Sequence, residues 1–540
     1  MFVRKKPNKS GSVSIQIIKK ANGKSKLVET IDCVKDKDEI ERLYQQGLNR
    51  IKELEPNLFD ITEQEDKKSK ILSISNDQII PIGDELFFGS LFDKLDINNL
   101  FKDNKKIRYK EEKLFLFKSL VISRILYPGS KLYLIDYLWH FKKQEIDIEQ
   151  IYRFLDTLYQ DDIKSKIEQA VYDYTLKKIN NQLVVSFYDV TTLYFESESE
   201  DDLRKIGFSK EGKLARPQIQ LGLFTTLEGY PLSFEVYDGK KYEGHTLLEA
   251  LIEFQKKFNI KDKPIVVADR GMLNDNNIAY LENNDYKYIL GSKIKMLSQN
   301  IKDKITGLVF VNDNVTHQID IEKTIKYKDN PNDKKATKSL DIKQRLILSY
   351  STKRAKKDKY LGEKALEKLK AKIEYSNNIT KSDLKLSHYA KYLDIQDECK
   401  VEFKLNNQKV EQDSKLDGIK GFITNDHSLK HNEIIEHYQN LWHIEKAFRI
   451  SKTDLQIRPI YHRLENRIKS HILISFVAYA VFKEFEIKTR NIKKEYKISY
   501  KILIDLIKHI FAIKLDDEII PIKLSDIQQK FYDAVYYDDF

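Results

Sequence analysis

Asp189, Asp269 and Glu445 are the residues whose types and placement point most directly to chemistry. Asp189 follows the apolar run Leu183-Val184-Val185-Ser186-Phe187-Tyr188, and Asp269 follows Ile265-Val266-Val267-Ala268. Each run predicts a buried strand that delivers a carboxylate to its C-terminal end. At helical spacing Glu445 falls in line with Ile434, Tyr438, Leu441, Phe448 and Lys452, which predicts an acid on an otherwise apolar stripe. A buried, unpaired carboxylate protonates unless a cation or a donor holds its charge. Three acids converging on one point would make a hard-cation site. Mg2+ and Mn2+ prefer oxygen ligands, and two such ions about 3.5–4 Å apart can clamp the attacking and leaving oxygens of a phosphodiester. Asp189 is the candidate bridging ligand.

Each acid also has a purely structural reading. Asp269, before Arg270-Gly271, fits a strand-end turn. Glu445 fits a buried ion pair with Arg449 or Lys446. Asp189 lies within a strand, where aspartate is disfavoured, so function is the stronger reading there. Glu235, Asp238 and Glu243 compete as metal ligands, although acids at a hairpin end are commonly just solvated. His443 could add a ligand or simply pack.

The elements that must position these acids follow from a change of period along the chain. Residues 1–80 predict a small β-hairpin, turning at Ala21-Asn22-Gly23, and a helix, with a basic strand face that could touch DNA. Residues 81–180 predict a helical domain of about four helices broken at Pro128-Gly129-Ser130, a second candidate for DNA binding. From 181 to 296 the order is three strands, helix, strand, helix, strand. That is the order of an RNase-H-like catalytic core: an α/β fold with a mixed five-stranded sheet and flanking helices, in which the first and fourth strands lie side by side and parallel. Residues 297–415 predict an inserted domain, which explains why the gap before Glu445 is more than twice that between the aspartates. Residues 416–485 complete the core with a strand and the Glu-bearing helix, with Ser428 or Asn432 as its N-cap, and 486–540 predict a helical C-terminal region.

At 540 residues the chain can bury a large core and hold more than one domain. A net charge of +11 and a pI near 9.0 favour a polyanionic partner, although abundant Lys, Asn, Ile and Tyr are also what an AT-rich coding sequence produces. Two distant cysteines, Cys33 and Cys399, suggest neither a disulfide framework nor a zinc site and fit a reducing cytoplasm. The run Ile472–Phe482 is too short to span a membrane, and the N-terminus has no apolar segment of signal-peptide type.

The segments Asp189-Val190-Thr191-Thr192-Leu193-Tyr194-Phe195, 216–239, Ala268–Met272 and 417–479 resemble DDE transposases of bacterial insertion sequences, within the insertion sequence 4 class and its 1634 group. The class signature is Tyr, two residues, Arg, three residues, Glu, six residues, Lys. Tyr438, Glu445 and Lys452 stand at those spacings, and Leu441 occupies the arginine position. Arg449 and Arg458 are the candidate replacements. The resemblance implies a metal-dependent enzyme with Asp189, Asp269 and Glu445 as catalytic residues and metal ligands, and with Tyr438, Arg449, Lys452 and Arg458 on DNA; Trp442 could stack on an extruded base, although a core tryptophan is the stronger reading. It implies Mg2+ or Mn2+, two ions, and hydrolysis at element ends followed by transesterification into target DNA. The implied partners are double-stranded DNA, as terminal repeats and target, and a second copy in a synaptic homodimer. The implied location is the bacterial cytoplasm, at the nucleoid when bound to DNA, with no membrane. An RNase-H-like nuclease or resolvase without strand transfer, and a non-catalytic DNA-binding derivative, are the competing readings.

Overall fold

In the computed structural model the described residues are 1–21, 24–54, 74–103, 110–159, 161–207, 216–260, 262–328, 337–375, 392–395, 403–515 and 518–537. They divide into two compact units, 1–80 with 511–522, and 81–510 with 523–540.

The smaller unit begins with three antiparallel strands, Phe2–Pro7, Val13–Ala21 and Lys24–Val34, followed by the helix Lys37–Leu54. Val3, Ile15 and Leu43 form its core, because alternation along the strands turns one face toward the apolar stripe of the helix. The expected turn residues Asn22 and Gly23 lie outside the described residues. Ile79–Pro81, Phe511–Leu515 and Glu518–Pro521 form a second small sheet. The C-terminal region is therefore not wholly helical as expected: the helix Tyr500–Lys508 stops, and Phe511-Ala512-Ile513, apolar and partly β-branched, pairs as a strand instead.

The larger unit is built on one eight-stranded mixed sheet. Its strands are β1 (Val185–Tyr194), β2 (Gln218–Thr225), β3 (Pro231–Asp238), β4 (Ile265–Ala268), β5 (Tyr288–Ser292), β6 (Thr316–Tyr327), β7 (Lys338–Tyr350) and β8 (Ile419–Thr424). They run in the order β6-β7-β8-β5-β4-β1-β2-β3. The pairs β1–β4 and β4–β5 are parallel and the others antiparallel. Five strands were expected. Strand β8 is the further strand expected within 416–485 to complete the core, and it pairs with β5, whereas β6 and β7 come from the stretch read as an insertion and extend the same sheet. Hydrophobic positions on alternate residues of β7 explain this, since Ile342, Leu346 and Leu348 are buried on one face.

Helices cover both faces of this sheet. On one side Tyr188, Ala268, Tyr288, Leu290 and Leu346 cluster with Leu247, Leu251 and Phe254 of α1 (Thr246–Phe258) and Ile278 and Leu281 of α2 (Asp275–Asn283). On the other side Phe187, Val267, Ile289 and Phe422 cluster with α3 (His431–Gln439), α4 (Trp442–Arg449) and α5 (Glu465–Lys488). Burying each such Phe or Leu stabilises by about 1.5–3 kcal/mol before chain entropy is counted. Helix α5 is buried around almost its whole circumference, from Ile472 to Phe485. It packs on β3 and on the helices Lys110–Leu126 and Ile148–Leu158. A helix buried on every side must be central in this way. Among the described residues no helix is long and apolar enough to cross a membrane.

Candidate active site

Asp189 and Asp269 stand side by side, but only Asp269 lies at a strand end: β1 runs on to Tyr194, with Asp189 paired to Leu223 of β2. The β-branched and apolar residues after Asp189 continue the strand, so its expected C-terminal placement is corrected to the middle of β1. The parallel register pairs Val185 with Ile265 and Tyr188 with Ala268, so the next residue on each chain is an aspartate. Both follow the alternation of Phe187 and Val267, which places them on the face covered by α3, α4 and α5. Asp189 is half-buried and accepts the Val190 amide at 2.8 Å through Oδ1. Asp269 is exposed. It precedes a single 3₁₀ turn, Arg270–Met272, as the turn reading requires, but its side chain does not cap that turn. Its Oδ1 instead accepts the Tyr438 hydroxyl at 2.8 Å.

That hydrogen bond gives Tyr438 a place that spacing alone did not reveal. The ring lies against Phe422, with centroids 4.8 Å apart, and passes so close to Gly291 that a Cβ there would stand 2.2 Å from its hydroxyl oxygen. Burial, followed by the charge of Asp269 and the hydrogen bond to it, pushes the phenol well above its ordinary range, so it remains a donor. Tyr438→Phe should leave the fold intact and cost about 1.5 kcal/mol of stability, the loss of a charge-assisted hydrogen bond, which urea denaturation checks.

The stripe that was expected to hold Glu445 differs in detail. The helix is broken: α3 ends at Gln439, and α4 begins at Trp442 after a tight junction in which Leu441 N bonds Tyr438 O and His443 N bonds Asn440 O. Around that break the buried residues become Leu441, Ile444, Ala447 and Phe448, and Glu445 is exposed in the first turn of α4. Buried Glu445 is thus corrected to exposed Glu445, because the junction rotates the apolar face. Helix α3 begins after Lys430, whose amide bonds Glu433, while Ser428 is engaged by Asp426, so neither expected residue is the cap. Glu445 forms no ion pair among the described residues; Lys446 pairs with Glu486 instead. Helix α4 packs across β1 and β2, the strand of Asp189 and its neighbour.

The competing acids are occupied elsewhere. Glu235 pairs with Lys257 at 2.5 Å, which also meets the buried Glu168, and Asp238 accepts the Lys240 amide in a turn. Among the described residues no three His, Cys, Asp or Glu side chains already stand together as a metal cage. Asp189 and Asp269 nevertheless fit a hard cation by donor type and adjacent placement, and the unpaired Glu445 lies on the helix packed over β1.

The residues expected to touch DNA divide into exposed and buried. Trp442 is 48% exposed, stacked on His443 at 3.8 Å, with Lys446 Nζ 5.7 Å from its ring. It is not a core tryptophan. Arg449 is exposed, and Lys452 and Arg458 are half-buried, Arg458 lying over the Tyr194 ring at 5.6 Å. Leu441, at the signature's arginine position, is buried in the core.

Behind Trp442 lies a charged network that sequence reasoning missed. Glu486 is paired with Lys483 at 2.7 Å and with Lys446. The only signal was the charged Lys483-Glu484-Phe485-Glu486 directly after an apolar run. His443 abuts this network, and burial, then Lys483 and Lys446, hold its pKa down to about 4. The unfolded chain therefore binds a proton on this residue that the folded chain refuses. Stability should fall as pH drops from about 6.5 toward 4, and His443→Gln should flatten that slope in urea titrations.

The family described as "Transposase DDE domain" matches residues 180–481, more than half of the chain. The chain belongs to the DDE transposase family. All three candidate acids, Tyr438 and Lys452 lie inside the matched span of this transposase, and the smaller unit's N-terminal sheet lies outside it. No curated protein matches the chain. Among solved structures, the cryo-EM structure of a piggyBac transposase synaptic complex with hairpin DNA is similar at 10% identity and a TM-score of 0.33, covering 84% of this chain and 80% of that one.

Proposed function

We propose that this transposase cuts DNA at the ends of a bacterial insertion sequence of the insertion sequence 4 class, 1634 group, and joins the freed ends to target DNA, with Asp189, Asp269 and Glu445 as its catalytic residues. The observation that carries this reading is the side-by-side placement of Asp189, within β1, and Asp269, just past the end of the parallel neighbour β4, on the face that α4 covers. The first five strands run 3-2-1-4-5 across the sheet, which supports an RNase-H-like core. Asp189 and Asp269 would hold Mg2+ or Mn2+, with Glu445 completing the donor set. When bound, the metal supplies an activated oxygen nucleophile and neutralises charge on the scissile phosphate.

The protein's own part is placement. Tyr438 orients Asp269 through its hydroxyl, leaving the second carboxylate oxygen for the cation. Arg449, Lys452 and Arg458 would bind phosphates flanking the cut, and exposed Trp442 would stack on an unpaired base. The net charge of +11 favours a DNA partner, and holding two ends calls for a second copy of the chain.

The test is a reaction with a labelled duplex carrying the flanking ends of the encoding element, plus supercoiled target. Free 3′-hydroxyls at the boundary, followed by joined products, support both steps. Cleavage without joining would restrict the protein to a nuclease, and end binding without any cleavage would leave a DNA-binding derivative.

A further inference from the structure

The N-terminal end of the helix Lys131–Lys142 carries a second charged site that the three acids do not use. Arg124 and Lys131 are 5% and 8% exposed, unusually deep for cations. Arg124 donates to the carbonyl of Gln456 at 3.3 Å and lies 3.5 Å from His471 Nδ1. Lys131 has no hydrogen bond or ion pair among the described residues, and the charge acting on it is that of Arg124. His462 and His471 lie close by, and Asp156, which faces His462, is already held by Arg467 at 2.8 Å. Burial and this mutual repulsion push Lys131 and His471 far below their ordinary ranges. Two cations buried without a carboxylate are costly, and such a cost persists where a ligand repays it.

The pair lines an open pocket of about 200 Å³, counting its solvent-facing mouth. Gly129 and Ser130 form part of the same lining, and Ser130 is exposed. Ser130 Oγ accepts the Tyr133 amide at 3.2 Å, which leaves its O–H free to donate, and the first amides of a twelve-residue helix add partial positive charge. At Gly129 there is room for backbone only, since a Cβ there would stand 2.8 Å from the Tyr133 ring. We propose that this pocket binds a phosphate-type oxyanion, with Lys131 and Arg124 as its cations and the Ser130 hydroxyl as a donor. The oxyanion comes either from free phosphate or from the backbone of bound DNA, and the site stands independently of the catalytic assignment.

The test uses the full chain, melted in inorganic phosphate and in chloride at matched ionic strength, together with duplex binding measured across a salt series. For the wild type, phosphate should raise the melting temperature or the pocket should contribute to the salt slope of DNA binding. Lys131→Met removes an unpaired buried cation, so it should melt no lower than wild type in chloride while losing the phosphate response; Lys131→Gln is the second neutral variant should methionine not fold. A DNA slope reduced by about one in the variant assigns the anion to the DNA backbone, and an unchanged slope with a lost phosphate response assigns a free anion. An equal phosphate response in wild type and variant, or no response together with an unchanged slope, overturns the proposal.

Discussion

Asp189→Asn and Asp269→Asn should each yield a folded protein that binds element ends with near wild-type affinity and cuts them on the order of 10³-fold more slowly. The amide keeps shape and hydrogen-bonding capacity but removes the charge that a divalent cation requires. Asp269→Asn also keeps an acceptor for the Tyr438 hydroxyl, so the local packing on Gly291 and Phe422 survives. Glu445→Gln should behave alike, and being exposed it should cost almost no stability. Single-turnover cleavage and a binding isotherm on the same preparation separate the effects. Variants that cut normally, or that lose binding together with cleavage while still folded, contradict the role.

The side-by-side placement of the aspartates was legible because each follows an apolar run that reads as a buried strand, and parallel pairing of the first and fourth strands brings them together. Glu445 was singled out by its place on an apolar helical stripe, yet its burial was misjudged. Helical periodicity assumes a continuous helix, and the junction at Asn440 and Leu441 breaks it. The contact of Tyr438 with Asp269 was invisible because it depends on Gly291, far away in sequence, leaving room for a ring. Strands β6 and β7 were hidden by their high charge: exposed Lys and Glu alternate with buried Ile along them, so composition suggested an insertion while pairing made them part of the sheet.

Loss of the Glu486 carboxylate should cost more stability than any surface change. Its side chain is 4% exposed and Lys483 is 5% exposed, at 2.7 Å, and Lys446 also pairs with it. Burial disfavours the Glu486 charge, but Lys483 and Lys446 outweigh this and hold the carboxyl below its usual range. Glu486→Ala leaves those cations together beside His443, and breaking such a pair costs about 3–5 kcal/mol. Chemical denaturation should show that loss, and Lys483→Met combined with Glu486→Leu should recover much of it. Because the folded pKa is lowered, the stabilisation is present above the ordinary glutamate value and disappears as pH falls through the folded one. If Glu486→Ala unfolds at the wild-type denaturant concentration, the network is not structural.

The most direct test of a shared metal centre is affinity cleavage of the polypeptide by Fe2+ and ascorbate, which cuts the backbone near a bound ion. Cuts should cluster around residues 189, 269 and 445, be suppressed by Mg2+ or Mn2+ and be lost in Asp189→Asn. Cuts confined to the Glu168–Glu235 region, or a pattern that Mg2+ and Mn2+ do not suppress, would contradict that shared centre.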